Sequence, residues 1–128
     1  MSDLTIMTFS SQTNKVPQKI IYNKTELVSA SASVAPIHEC ITGKYDSIYL
    51  FLHNVSSNEI PVYVYQSDTP HTVRTLFKFV NVPAKGNHQI LLFNGHTMFS
   101  GQRLYIVVDQ ASHTGSVIYT GYVKRFGI

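Results

Sequence analysis

Residues 47–66 read SIYLFLHNVSSNEIPVYVYQ. Ile48, Leu50 and Leu52 share one side of an extended chain, and Tyr49, Phe51 and His53 share the other. This two-residue period belongs to a β-strand. Both sides are apolar or aromatic, so the reading is a central strand covered on both faces. The polar stretch VSSNE (55–59) is a hairpin-type loop. Ile60, Val62 and Val64 then alternate with Tyr63 and Tyr65 in a second strand. Pro61 has no N–H to give a ladder, which places it at a sheet edge or at the strand start.

The same pattern extends both ways along the chain. KIIYNK (19–24), ELVSASASV (26–34) and PIHECIT (36–42) read as strands before it, and GKYD (43–46) as a turn. RTLFKFVNV (74–82), NHQILLF (87–93), QRLYIVVD (102–109) and SVIYTGYVKRF (116–126) follow. PAKG (83–86) and NGHTMFSG (94–101) are corners, with Gly95 and Gly101 bracketing a short crossing segment in which Met98 and Phe99 plug one end of the core. No segment keeps a 3.6-residue period for ten residues without Gly, Pro or β-branched breakers. Eight or nine short strands at this spacing predict an all-β protein, an antiparallel two-sheet β-sandwich of jelly-roll-like form. Residues 1–18, MSDLTIMTFSSQTNKVPQ, are polar with isolated apolar positions and read as an extended N-terminal arm; residues 19–128 read as the sandwich domain.

The chain has 128 residues, enough for one domain with a core that needs neither metal nor disulfide. Only 13% of residues are charged, about half the usual share. A surface so poor in charge suits a subunit that buries much of itself against partners. The net charge is +3, but the basic residues are scattered and only Lys124 and Arg125 are adjacent. No stripe of the kind nucleic-acid binders carry is visible, although folding can assemble a patch. No nucleic-acid or membrane partner is expected. The N-terminus lacks the pattern of a signal peptide, and no apolar run approaches a membrane span.

Six histidines and one cysteine, Cys40, invite a metal site. His38 and Cys40 share a strand face and Glu39 lies opposite, but a tetrahedral site needs about four ligands and the spacing supplies no others. His71, His88, His96 and His113 fall in or beside loops, where histidine gives polar surface. No G-x-S-x-G elbow, phosphate loop or carboxylate pair stands out, and Cys40 reads as a buried, inert thiol. The expectation is therefore no catalytic residue, no metal and no cofactor. Eight tyrosines and no tryptophan point to interfaces, because tyrosine buries area at little entropic cost and keeps a polar tip.

From 37 to 124 the elements fall in a recognisable order. A G-x-x-D-x-I-x-L-x-L-x-N strand (GKYDSIYLFLHN) leads to IPVYVYQ. A strand ending V-P-A-x-G (FKFVNVPAKG) follows, then SGQRLYIVV and a closing GSVIYTGYVKR. This order resembles the small β-sandwich virion proteins of tailed bacteriophages, found as capsid decoration or cement subunits or as tail and neck accessory subunits. The L-x-x-G-D-x-L element of that family stands here as Met98 to Leu104, with Gln102 in place of the usual Asp. The resemblance implies a non-enzymatic structural subunit of the virion, made in the cytoplasm of the bacterial host. It would form a homo-oligomer, with a trimer as one form, and dock on other virion proteins of capsid, tail or neck. The arm would add a strand to a neighbour or reach across it. Leu4, Ile6, Phe9, Tyr63 and Tyr65 are the candidate partner contacts. A second expectation is a carbohydrate-binding module for a host receptor glycan, with Tyr63, Tyr65, Asp68 and His71 gathered at one loop end.

Overall fold

A computed structural model describes residues 17–69, 73–84 and 89–127. Eight strands occur among them: β1 (Gln18–Glu26), β2 (His38–Glu39), β3 (Lys44–Asn54), β4 (Ile60–Ser67), β5 (Arg74–Val82), β6 (Ile90–Met98), β7 (Arg103–Val108) and β8 (Val117–Gly127). A 3₁₀ turn at Ala111–His113 joins the last two. The strands form two four-stranded sheets, ordered β1-β8-β3-β6 and β2-β7-β4-β5.

The pairing explains the order. β4 pairs with β5, β3 with β6, β2 with β7 and β1 with β8, all antiparallel. The chain is thus one long ribbon doubled back at the β4–β5 connection. Rolling that ribbon brings β3 beside β8 and β4 beside β7, which closes the two sheets. Nested pairing of this kind is the jelly-roll, and the protein is an all-β sandwich of that topology.

The roll is held by the inward side of the alternation. Ile48, Leu50 and Leu52 of β3 face Ile60, Val62 and Val64 of β4, joined by Leu104, Ile106 and Val108 of β7 and Val117 and Val123 of β8. All are buried. Burying such a side chain contributes about 1.5–3 kcal/mol over leaving it exposed. β3 is central, as the pattern predicts, but its second face has no covering layer among the described residues. Tyr49 and Tyr122 stack there at 4.8 Å, and Tyr45 and Phe126 at 4.9 Å. Lys19 sits 4.5 Å over the Tyr122 ring and Lys124 5.4 Å over Tyr49. Neighbouring side chains shelter that face in place of a third layer.

Several local expectations are corrected. Residues 26–34 are not a strand beyond the end of β1; after Leu27 the chain crosses the outer face of the second sheet and touches the ladder only at a Ser29–Val108 bridge. Beyond Leu27, which enters the core, its alternation is mainly between serine and alanine, whose small side chains give too little apolar area to hold a strand face down. The 36–42 strand shrinks to His38–Glu39, and the supposed turn at 43–46 largely belongs to β3, which starts at Lys44. Asn94-Gly95 is no corner but lies within β6, where Gly95 is an extra residue between the Ile48 and Tyr49 pairings. Its φ of +95° suits that bulge and disfavours other residues. Met98 fills the core as expected, whereas Phe99 is 60% exposed. Pro61 is the second residue of β4, paired with Asn81 of β5 and ahead of the first β7 pairing at Val62.

Gly121 marks the tightest point of the first sheet. A Cβ there would overlap the Tyr49 carbonyl oxygen and approach Leu50 to 3.0 Å. Backbone in the middle of three paired strands cannot yield cheaply. Gly121→Ala is expected to destabilise the protein by roughly 1–3 kcal/mol, as overpacking does, measured as a lowered urea midpoint with an unchanged slope.

Candidate functional site

The outer face of the β2-β7-β4-β5 sheet carries the two described partner candidates. Tyr65 lies between Leu76 of β5 and Tyr105 of β7, and Tyr63 between Phe79 and Val107. Alternation aims both cross-strand rows outward. Leu76 and Phe79 remain 48% and 49% exposed, and the Tyr63 and Phe79 rings meet at 5.1 Å. The segment after β1 covers one end of this face. The Arg74 guanidinium lies 4.1 Å over the Tyr105 ring and donates to the carbonyls of Ser31, Ala32 and Val34 at 3.1–3.4 Å. A shallow groove of about 280 Å³ remains between this strap and Tyr65 and Tyr105. Leu4, Ile6 and Phe9 lie outside the described residues.

A second concavity, of about 370 Å³, opens where β4 and β7 meet β5. Gln66, Asp68, Thr69, Thr75 and Gln102 line it with amide, carboxylate and hydroxyl groups, and Val73 and Phe77 supply apolar surface. Its polar groups are fixed in orientation. The Gln102 amide nitrogen donates to Asp68 Oδ1 at 2.7 Å, while its oxygen accepts the Phe99 backbone N–H at 2.9 Å. Gln66 Oε1 lies 3.0 Å from His96 Nε2. Because that oxygen can only accept, His96 carries its proton on Nε2. The His96 ring stacks against Phe77 at 5.2 Å and Phe93 at 4.7 Å. Burial, with the nearby Lys78, holds the His96 pKa below its ordinary value, so the ring is neutral at pH 7.

The third cluster is buried. Asp46 of β3 is fully buried and takes two bonds from Arg125 of β8, both at 2.9 Å. His38 of β2 gives its Nε2 proton to Asp46 Oδ2 at 2.6 Å, and the Tyr22 hydroxyl of β1 meets its Nδ1 at 2.6 Å. Arg125 also donates to the Glu39 carbonyl at 3.0 Å. Burial lowers the His38 pKa against the pull of Asp46, whose charge Arg125 already balances. Asp46 itself is held below the usual carboxylate range by Arg125 and His38 despite its burial. Burial raises Tyr22 to about 12 and the neighbouring Cys40 thiol to about 11. These groups bond one another across β1, β2, β3 and β8 and line neither concavity described above, so the cluster serves as a clip between sheets.

The histidines separate accordingly. His38 and Cys40 do lie together, but both His38 nitrogens are engaged and the Cys40 thiol points to the Lys44 carbonyl at 3.3 Å. No group of three or more metal-ligating side chains converges among the described residues. His96, read from sequence as lying in or beside a loop, is in β6 and contacts both Gln66 and Phe77. His113 pairs with Asp109 at 2.6 Å beside the 3₁₀ turn. The glycan set is not assembled as expected. Tyr63 and Tyr65 lie on the outer sheet face, Asp68 lies in the cleft, and His71, like His88, is outside the described residues. Gln66, Thr75, Phe77 and Gln102 were missed as cleft lining, and His96 as the ring behind Phe77, since amides, a hydroxyl and a phenylalanine carry no spacing signature.

No family model, no curated protein and no solved structure matches this chain. The class is therefore defined by topology alone, a jelly-roll sandwich with eight strands among the described residues.

Two outcomes follow from the buried clip. Arg125→Met leaves the Asp46 carboxylate buried without its counter-charge and is expected to cost about 3–5 kcal/mol by urea unfolding. The second outcome concerns pH. The folded protein binds the His38 proton more weakly than the unfolded chain does, so the unfolded state gains protons first as pH falls below about 6.5. Stability is full above that value and drops as pH decreases from 6.5 towards the lower folded pKa. Asp46 adds a further loss below about 3.8. Stability measured at pH 7.5 and 5.5 should fall in the parent chain and fall less in His38→Gln. His96→Gln removes the parallel contribution of that ring.

Proposed function

We propose that this protein is a non-enzymatic structural subunit of a bacteriophage virion, a capsid decoration or cement protein or an accessory subunit of tail or neck. It forms a homo-oligomer and stabilises or connects virion parts, after synthesis in the cytoplasm of the bacterial host. One observation carries the reading: Leu76 and Phe79, exposed beside the half-buried Tyr63 and Tyr65 on the sheet face of a charge-poor protein, where Tyr105 and Val107 of the same rows are already buried. Tyrosine and phenylalanine beside aliphatic side chains are the composition of interface centres. The resemblance of residues 37–124 to phage sandwich proteins supports the same assignment.

The β5 edge beside this face is built against strand addition. β5 is an edge strand, but Phe77 is an extra residue between the Tyr65 and Val64 pairings, and Lys78 points inward to donate to the Leu92 carbonyl at 2.8 Å. A bulge and an inward lysine both discourage a foreign strand from pairing there. The arm then reaches across a neighbour, with Leu4, Ile6 and Phe9 seated on apolar surface. Partner binding to the assembled form would stabilise it by mass action.

Chromatography with light scattering is the test. The full chain should run as a multiple of its 14.4 kDa mass. Leu76→Glu and Phe79→Lys, both at exposed positions, should keep the β circular dichroism signal and shift the protein to monomer. Deleting residues 1–16 should weaken assembly with the sandwich intact. A parent chain that stays monomeric at high micromolar concentration removes the proposal.

A further inference from the structure

We propose that the cleft between the ends of β4 and β7 and strand β5 binds one neutral sugar ring of a glycan. The site is separate from the outer face assigned to assembly, and it stands whether or not that assignment holds.

The chemistry of the lining selects the ligand. A pyranose ring presents a face of C–H groups and a rim of hydroxyls that both donate and accept. The cleft offers counterparts to each. Phe77 is 41% exposed and lines the cleft, while His96 backs its ring at 5.2 Å with an interplanar angle of 19°. Phe93 lies behind at 5.9 Å. A ring held this way is a rigid platform for C–H groups, with little side-chain entropy left to lose. Around it stand the Asp68 carboxylate, the amides of Gln66 and Gln102, and the hydroxyls of Thr69 and Thr75. The carboxylate accepts, the amides and hydroxyls do both, and together they suit a hydroxyl-rich rim.

These groups are also preorganised. Gln102 is fixed at both ends of its amide and leaves Asp68 Oδ2 as an acceptor. His96 holds the Gln66 amide and the Phe77 ring at once, so one side chain sets the geometry of two contacts. His96 is a positioning residue, since it does not line the cleft. The volume of about 370 Å³ lies at the small end of the roughly 300–1,000 Å³ range of ligand pockets, which fits a terminal sugar better than a buried chain. Charge narrows the class further. Among the described lining residues Asp68 is the only ionisable side chain, and its carboxylate would repel an acidic sugar.

The test uses the full-length protein and two readouts. Saturation-transfer NMR is run with the methyl glycosides of glucose, galactose, mannose and N-acetylglucosamine, and an array of neutral and acidic glycans is probed in parallel. Transfer to at least one neutral glycoside is expected, with neutral glycans preferred on the array. Asp68→Asn keeps the shape and removes the charge, and Phe77→Ala removes the platform; each should weaken binding tenfold or more while leaving the oligomeric mass unchanged. Repeating the measurement on Phe79→Lys keeps the cleft open if assembly covers it. Absence of neutral-sugar binding in both the parent chain and Phe79→Lys overturns the proposal. Binding confined to acidic glycans, or unchanged in both cleft variants, overturns it as well. Loss of assembly with sugar binding retained strikes the structural reading alone.

Discussion

Asp46 is a carboxylate with no solvent contact in a protein that has few charges to spend. Its burial is tolerable only because three strands supply partners: β8 gives the Arg125 guanidinium, β2 gives the His38 imidazole, and β1 closes the chain of bonds through Tyr22. β1, β3 and β8 belong to one sheet and β2 to the other. β2 has only two residues, too few to hold its place by ladder bonds alone. The ionic cluster therefore fixes the weakest strand of the roll against the opposite sheet. A shift of β2 by one residue would turn His38 away from Asp46 and leave a buried charge half satisfied. Buried ionic groups are weak contributors to net stability, but they penalise wrong registers heavily.

With the interior fixed this way, the surface divides by role. The outer face of β1-β8-β3-β6 is shielded by its own stacked rings and lysine stems. That of β2-β7-β4-β5 is strapped at one end by the segment after β1 and left apolar at the other. Arg74 controls this division. Its guanidinium lies on Tyr105 and holds three carbonyls of the strap, so the groove beside Tyr65 keeps its shape while Leu76 and Phe79 remain open.

Strong periodicity made much of this legible. β3, β4, β7 and β8 follow from alternation of large apolar side chains, because such residues have only one favourable side to occupy. The segment 26–34 alternates as clearly, yet Ser and Ala give too little area difference to choose a face. Asn94-Gly95 has the composition of a turn, and a bulge inside a strand uses the same positive φ. The pairings of His38 were hidden for another reason. Its partners lie 8 residues away at Asp46 and 16 away at Tyr22, distances that only the rolled ribbon closes. For the candidate site, Asp68 was visible as a polar loop residue. The amides beside it were not, since Gln102 looked like a family position that had lost its acid.

Gln102 nevertheless has a definite physical role in the structure. Gln102 spans from the Phe99 N–H to the Asp68 carboxylate, with its acceptor at one end and its donor at the other. An aspartate at 102 would have no donor for Asp68 and would set two carboxylates against each other. The glutamine thus lets the loop after β4 approach the start of β7 and keeps Asp68 aimed at the cleft. Phe77 completes the arrangement from the opposite side. As the bulged residue of β5 it interrupts the edge ladder, and the same extra residue turns its ring off the sheet face towards His96. One irregularity therefore blunts the edge against strand pairing and builds the floor of the polar cleft. Regular pairing at this position would lose both, so the bulge shapes the cleft as much as the edge.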